Sequence, residues 1–192
     1  YWAIPAGAAT AVEGHWEEGP GMHLFDAVRS ALGGLPFVAE DLGIVGDDVR
    51  DLLDATGLPG MRVMQFGFDS PDSLHHPDRY PEHCVAYTGT HDNDTTRGWF
   101  DKAPEWERTR ALEAVGGGTQ DVPWNFIRAL HHAAAERVVV PVQDVLGLGS
   151  EARMNTPSVP EGNWEFRLDH GALTPELAER LRAVTKDAGR SR

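Results

Sequence analysis

A single cysteine, Cys84, is all the thiol chemistry in this sequence, which excludes an internal disulfide framework and any zinc site built from several cysteines. Its apolar neighbours mark it as a buried structural thiol, and its isolation fits a reducing, cytoplasmic setting. Long apolar runs are also missing. No stretch approaches the roughly 18 consecutive apolar residues of a membrane helix, and the amino terminus has neither the basic nor the apolar region of a signal peptide. Basic residues are scarce: 17 stand against 30 acidic ones, for a net charge of -13. Without clustered Lys and Arg to neutralise phosphates, nucleic acid and anionic membrane surfaces are poor partners, and a neutral polar ligand fits better. An initiator Met is absent as well. The chain opens at Tyr1-Trp2-Ala3-Ile4-Pro5 as if inside a domain, so a fragment is expected.

Glycine and proline are plentiful, at 21 and 13 residues, so long ordered loops are expected, and loops of that kind carry function. Tyr1 to Gly21 reads as one of them. Phe25, Val28, Ala31 and Leu32 recur at helical spacing and stop at Gly33-Gly34. Phe37 to Ala39 reads as a buried strand, Asp47 to Thr56 as a helix with Val49, Leu52 and Leu53 inward, and Arg62 to Phe66 as a second strand. Cys84 to Thr88 is a third strand and Val138 to Val142 a fourth. Between them, Thr95 to Phe100, Glu105 to Val115 and Trp124 to Glu136 are helical candidates. A last helix has Thr174 as N-cap, Pro175 at its first position, and Leu177, Leu181 and Val184 on one face. This alternation predicts an α/β domain of parallel strands joined by helical crossovers, with its site at the carboxyl ends of the strands.

Two strand ends carry the chemistry. The run from Val85 to Thr96 sets His91-Asp92-Asn93-Asp94 directly after an apolar segment. Leu35 to Gly43 likewise ends in the pair Glu40-Asp41. Glu40 follows Ala39 and is expected to leave the strand end beside apolar residues, an environment that favours a protonated acid able to give and retake a proton. Its simpler reading is a cap on the following turn. Asp92, with an imidazole beside it and further amide and carboxylate groups beyond, suits vicinal sugar hydroxyls, which offer donors and acceptors in fixed geometry. A divalent metal on His91-Asp92, with ligands from His75, His76, His83, His131 or His132, is the weaker alternative, because those histidines are scattered and otherwise read as solvated surface groups. Gly116-Gly117-Gly118 has no following Lys-Ser/Thr and reads as a connection rather than a phosphate loop. Of the six tryptophans, Trp2, Trp16 and Trp164 lie in Gly-rich settings that favour exposure, while Trp99, Trp106 and Trp124 read as core.

Several segments in order resemble the carboxyl-terminal part of the 4-alpha-glucanotransferases, the amylomaltases or disproportionating enzymes of glycoside hydrolase family 77. They include Ala39-Glu-Asp-Leu-Gly43, Gly57-Leu-Pro-Gly-Met61, Phe68-Asp69, Tyr87-Thr-Gly-Thr-His-Asp-Asn-Asp-Thr-Thr96, Gln143-Asp-Val-Leu-Gly-Leu-Gly149, Glu151-Ala-Arg-Met-Asn-Thr-Pro157 and Gly162-Asn-Trp164. The resemblance runs nearly end to end. It implies that residues 1–192 are one piece of a single domain, the second half, about strands five to eight, of a (β/α)8 TIM barrel of the alpha-amylase superfamily. It also implies retaining transfer of an alpha-1,4-glucan segment to the 4-hydroxyl of an acceptor glucan, with no cofactor and no metal.

By the same resemblance Glu40 is the acid/base and Asp92 the transition-state-stabilising carboxylate, while His91, Asp69, Asn163 and Trp164 bind substrate. The family's nucleophilic aspartate lies at the end of strand four in an Arg-x-Asp-His-Phe-Arg motif, which by the resemblance is expected just before Tyr1 and so outside this sequence. Asp41, Asp94 and Asp144 do not replace it. The chain alone is therefore expected to be inactive in transfer, and a half barrel with two open sheet edges is poorly suited to independent folding. A truncated, non-catalytic glucan-binding module is the alternative reading.

Overall fold

The computed structural model describes residues 1–43 and 45–190, in two compact units, Tyr1–Leu58 and Pro59–Arg192. In the first unit, β1 (Trp2–Ala3) pairs antiparallel with β2 (His15–Trp16), setting Trp2 opposite Trp16 with their rings edge-on at 5.6 Å. The Trp2 indole N–H also donates to the Ala11 carbonyl at 2.8 Å, so the expected amino-terminal loop is folded on itself. Helix α1 (Met22–Leu32) stops at Gly33, whose φ of 75° lies in the left-handed region that a Cβ disfavours. Helix α2 (Asp47–Thr56) begins with two aspartates that complement its amino-terminal dipole, and it ends at Gly57.

Two expectations fail in this unit. Phe37 to Ala39 forms no strand: Phe37 and Val38 are exposed, and the Phe37 N–H turns back to the Leu35 carbonyl at 2.9 Å. An apolar tripeptide becomes a strand only when a neighbouring strand takes up its backbone groups, and none among the described residues does so here. Val49 is exposed, while Leu52 and Leu53 of the same helix are half-buried.

The second unit is built on a three-stranded parallel sheet, β3 (Gly60–Val63), β4 (Cys84–Tyr87) and β5 (Arg137–Val139), with β4 in the middle. The register aligns Val63, Tyr87 and Val139 in one row. The segments that leave the sheet after these residues therefore start from a common edge, the carboxyl edge where α/β proteins place their sites. The β4–β5 connection carries α3 (Thr96–Lys102), α4 (Glu105–Val115) and α5 (Val122–His132). The β3–β4 connection holds only 3-10 turns at Met64–Gly67 and Pro77–Arg79, since Pro71, Pro77 and Pro81 each remove a backbone donor that a helix would need.

The core lies between this sheet and its helices. Met64, Phe68, Cys84, Ala86, Phe126 and Leu130 form its centre, and Phe68, Trp99 and Phe126 meet pairwise at 5.6 to 5.8 Å between rings. Cys84 is buried as expected, its thiol donating to the Pro81 carbonyl. Trp106, expected in the core, is half exposed, and the Arg110 guanidinium lies over its ring. After β5, Pro141 ends the extended run and the short helix α6 (Val142–Val145) follows. Helix α7 (Pro175–Asp187) is capped by the Thr174 hydroxyl, which accepts from the Leu177 N–H, and starts on Pro175 as expected. No helix among the described residues is long and apolar enough to cross a membrane.

Candidate active site

The loop from Thr88 to Thr95 joins the end of β4 to α3 and is held by a dense set of hydrogen bonds. Asn93 Oδ1 accepts from both the N–H and the hydroxyl of Thr90 at 2.9 Å, and the Asp92 N–H donates to the Thr90 hydroxyl. These short-range bonds turn the chain so that His91 and Asp92 stand at the crest. Their side chains are 52% and 50% exposed, open enough to meet a ligand. His91 Nε2 lies 3.3 Å from Asp92 Oδ1.

A distant segment, 153–164, pins the crest from outside. Asn155 donates from Nδ2 to Asp92 Oδ1 at 2.6 Å, and its backbone N–H donates to the His91 carbonyl at 3.1 Å. Arg153 donates to the Asp92 carbonyl at 2.6 Å while its Nε holds the Asn155 carbonyl at 2.7 Å. Trp164 lies against the His91 ring, centroids 5.1 Å apart, and is 55% exposed. Its φ is 61°, a conformation that costs a bulky residue of order 1–3 kcal/mol and that surrounding contacts must impose. One is its own N–H, which donates to the Met154 carbonyl at 2.7 Å.

Asn163 works on the same loop. Its Oδ1 accepts from the Thr156 N–H at 2.7 Å and its Nδ2 donates to the Val159 carbonyl at 2.6 Å. The amide thus closes the turn that presents Trp164.

Asp94, behind the crest, is mostly buried and accepts from Lys102 Nζ and the Ser150 hydroxyl, both at 2.7 Å, and from the Thr95 N–H. Desolvation works against its ionisation. The bonds from Lys102 and Ser150, with the Lys102 charge, outweigh that and hold the carboxyl below its ordinary range. Asp94 is a strut for the loop, not a free acid.

Asp144, which carries no local motif, is 1% exposed and accepts three hydrogen bonds from the loop ends. Its partners lie 48 and 56 residues away, so no local pattern marks it.

The remaining candidates lie elsewhere. Glu40 belongs to the first unit and is exposed, so the apolar surroundings expected for it are not provided by its own neighbours. Asp69, also exposed, is held towards α4: its carbonyl accepts from Arg110, and its charge raises the pKa of Glu107, which desolvation raises first. The histidines of the metal alternative are separately engaged. His75 Nδ1 accepts from the Val63 N–H, His76 caps Asp78, His83 faces Glu136, and His132 pairs with Asp187. His131, expected at the surface, is buried against the Ile127 carbonyl. Among the described residues no group of three or more His, Cys, Asp or Glu is arranged to hold a metal ion.

Arg167-Leu168-Asp169-His170 repeats the first four positions of the nucleophile motif and then departs at Gly171-Ala172. It occupies a turn with Gly171 at φ 82°, not a strand end, and Arg167 folds back onto the Trp164 and Phe166 carbonyls.

The sequence profile of the family described as 4-alpha-glucanotransferase matches residues 1–174. The 4-alpha-glucanotransferase of Thermus thermophilus is 47% identical over 197 residues, covering 97% of this chain and 39% of that protein. The chloroplastic/amyloplastic 4-alpha-glucanotransferase of Arabidopsis thaliana is 40% identical, covering 99% of the chain and 34% of its own length. An amylomaltase from Streptococcus agalactiae, solved in complex with acarbose, superposes with a TM-score of 0.94 at 33% identity, over all of this chain and 39% of that one. The amylomaltase of Corynebacterium glutamicum, at 18% identity and a TM-score of 0.71, shares the fold. The chain spans less than two fifths of the length of these relatives.

Proposed function

Because the chain belongs to the 4-alpha-glucanotransferase family, we propose that it forms part of an enzyme that moves a segment of an alpha-1,4-glucan onto the 4-hydroxyl of an acceptor glucan. The observation that carries this reading is the crest of the β4 loop. There an exposed carboxylate, Asp92, is fixed by Asn155 beside an imidazole that rests on an exposed tryptophan. Such a set offers one aromatic face for the apolar side of a sugar ring and charged acceptors for its hydroxyls.

Retaining glycosyl transfer passes through an oxocarbenium-like state, and positive charge developing at the anomeric carbon is what a fixed carboxylate stabilises. We assign that role to Asp92, with His91 and Trp164 holding the sugar. Asn163 acts by presenting Trp164, and Asp69 meets the glucan further along. Glu40 is assigned as the acid that protonates the leaving oxygen and then deprotonates the acceptor hydroxyl, for which its exposure leaves a path.

In this reading residues 1–192 are the second half of one (β/α)8 barrel. The segment around Phe37 then gains strand form when a neighbouring strand is present, and transfer needs the nucleophile carried by the rest of the protein. The reaction requires no cofactor, its partners are the donor and acceptor glucans, and the lone buried thiol fits a reducing, cytoplasmic setting. The plant relatives, named for plastids, mark the alternative compartment.

The test is incubation of the complete enzyme with maltotriose. Glucose together with a ladder of longer maltooligosaccharides supports transfer. Products limited to hydrolysis, or no product, overturn it.

A further inference from the structure

One buried carboxylate joins the two ends of the loop on which the proposed site depends. Thr88, the first residue after β4, and Thr96, the first of α3, are both fully buried. Seven residues separate them, and His91 and Asp92 lie midway. Asp144, in the turn of helix that follows β5, inserts its carboxylate between the two threonines. Oδ2 accepts from the Thr88 hydroxyl at 2.5 Å and from the Thr96 hydroxyl at 2.7 Å, and Oδ1 accepts from the Thr96 N–H at 2.7 Å.

We propose that Asp144 is a positioning residue for glucan transfer: it clasps Thr88 and Thr96 and so fixes the height and tilt at which the loop presents Asp92. This rests on the role assigned to Asp92 above.

The clasp is the deepest of three ties that the 144–155 segment makes to the same loop. Next outward, the Ser150 hydroxyl donates to Asp94 Oδ2 at 2.7 Å, and outermost Asn155 and Arg153 hold Asp92 itself. The exposed outer tie alone competes with water. The inner one does not, since its groups are buried and a broken bond there leaves a polar group without a partner. A loop fixed at both ends holds a carboxylate in one place, as stabilising a developing charge requires. Desolvation, joined by the charge of Asp94, raises the carboxyl's pKa, and the three donor bonds oppose that rise without reversing it.

The experiment uses the complete enzyme and three variants. Thr88→Val removes one donor at nearly constant shape, Thr88→Ser keeps the hydroxyl, and Asp144→Asn turns one accepting oxygen into a donor. Positioning predicts that Thr88→Val and Asp144→Asn lower kcat for maltotriose transfer at least about tenfold with KM little changed, and that Thr88→Ser recovers most of the rate.

Hydrogen exchange of the amides at residues 89–95 is the second readout. Protection there falls in Thr88→Val and Asp144→Asn, while that of β4 persists. Parental kcat in both, or a rate loss that only follows the loss of folded protein and that Thr88→Ser does not rescue, overturns the proposal. If the unaltered enzyme transfers no glucan, the functional reading fails, and unchanged loop protection in the variants then refutes the clasp separately.

Discussion

The Nδ2 of Asn155 donates to the Oδ1 of Asp92 at 2.6 Å, joining residues 63 positions apart at the exposed crest of the β4 loop. The bond aims one lone pair of the carboxylate at the protein and so orients the other oxygen. Asn155→Ala removes it without touching the core. The expected result is a fall of about 10- to 100-fold in kcat, the equivalent of a hydrogen bond to a charged group, with a Tm close to that of the unaltered enzyme. Steady-state kinetics on maltotriose checks it.

Glu40 is exposed, and its side chain takes no part in the core. Glu40→Gln in the complete enzyme should therefore leave stability within about 0.5 kcal/mol of the parent while lowering transfer by roughly 10²- to 10⁴-fold, the range for loss of a general acid and base. Circular dichroism with a rate assay separates the two effects. Retained transfer removes Glu40 from the mechanism.

Much of this arrangement is legible in the sequence where local chemistry and tertiary context agree. Helix α4 runs from Glu105 to Val115 as expected, because Pro104 and Gly116 bound it. Cys84 to Tyr87 is a strand because a short apolar run ends at polar residues, and that same junction exposes the His91-Asp92 crest. The rest depends on partners that lie far off. Phe37 to Ala39 has a strand's composition but no neighbouring strand among the described residues. Helix α5 starts at Val122 and stops at His132, two residues earlier and four earlier than its apolar pattern suggests, because Pro123 suits a first turn and the chain turns extended at Ala133. Asp144 is one acid among many until the fold brings Thr88 and Thr96 to it.

Gly98 is a close-approach glycine. A Cβ there would stand 2.6 Å from Asp94 Oδ1 and would press on the Ser150 hydroxyl. Gly98→Ala must then displace the tie between Ser150 and Asp94, at a cost of about 1–3 kcal/mol. The variant should melt several degrees lower than the parent and lose transfer together with it. Differential scanning calorimetry reports the first and the maltotriose assay the second.

His131 contributes to the loss of stability on the acid side. Burial pulls its imidazole below the ordinary value of 6.5, the Ile127 carbonyl pulls it upward, and the charges of Arg190 and His132 add to the depression. The folded state thus holds the neutral ring, and the unfolded chain takes up a proton first as the pH falls. This contribution is fully present above pH 6.5 and is lost as pH drops through the depressed pKa. Tm measured on both sides of pH 6.5 should fall on the acid side, and His131→Gln should flatten that limb. An unchanged slope in the variant assigns the acid sensitivity to other groups.

The most direct measurement compares glucose release from maltotriose by the complete enzyme and its Asp92→Asn variant at equal concentrations of folded protein. Asparagine keeps the shape and can still meet Asn155, but it carries no charge to face the oxocarbenium-like state. The rate should fall by at least about 10²- to 10³-fold, with the circular dichroism spectrum unchanged. A variant that transfers glucan at a comparable rate would show that the crest of the β4 loop is not where the reaction is stabilised.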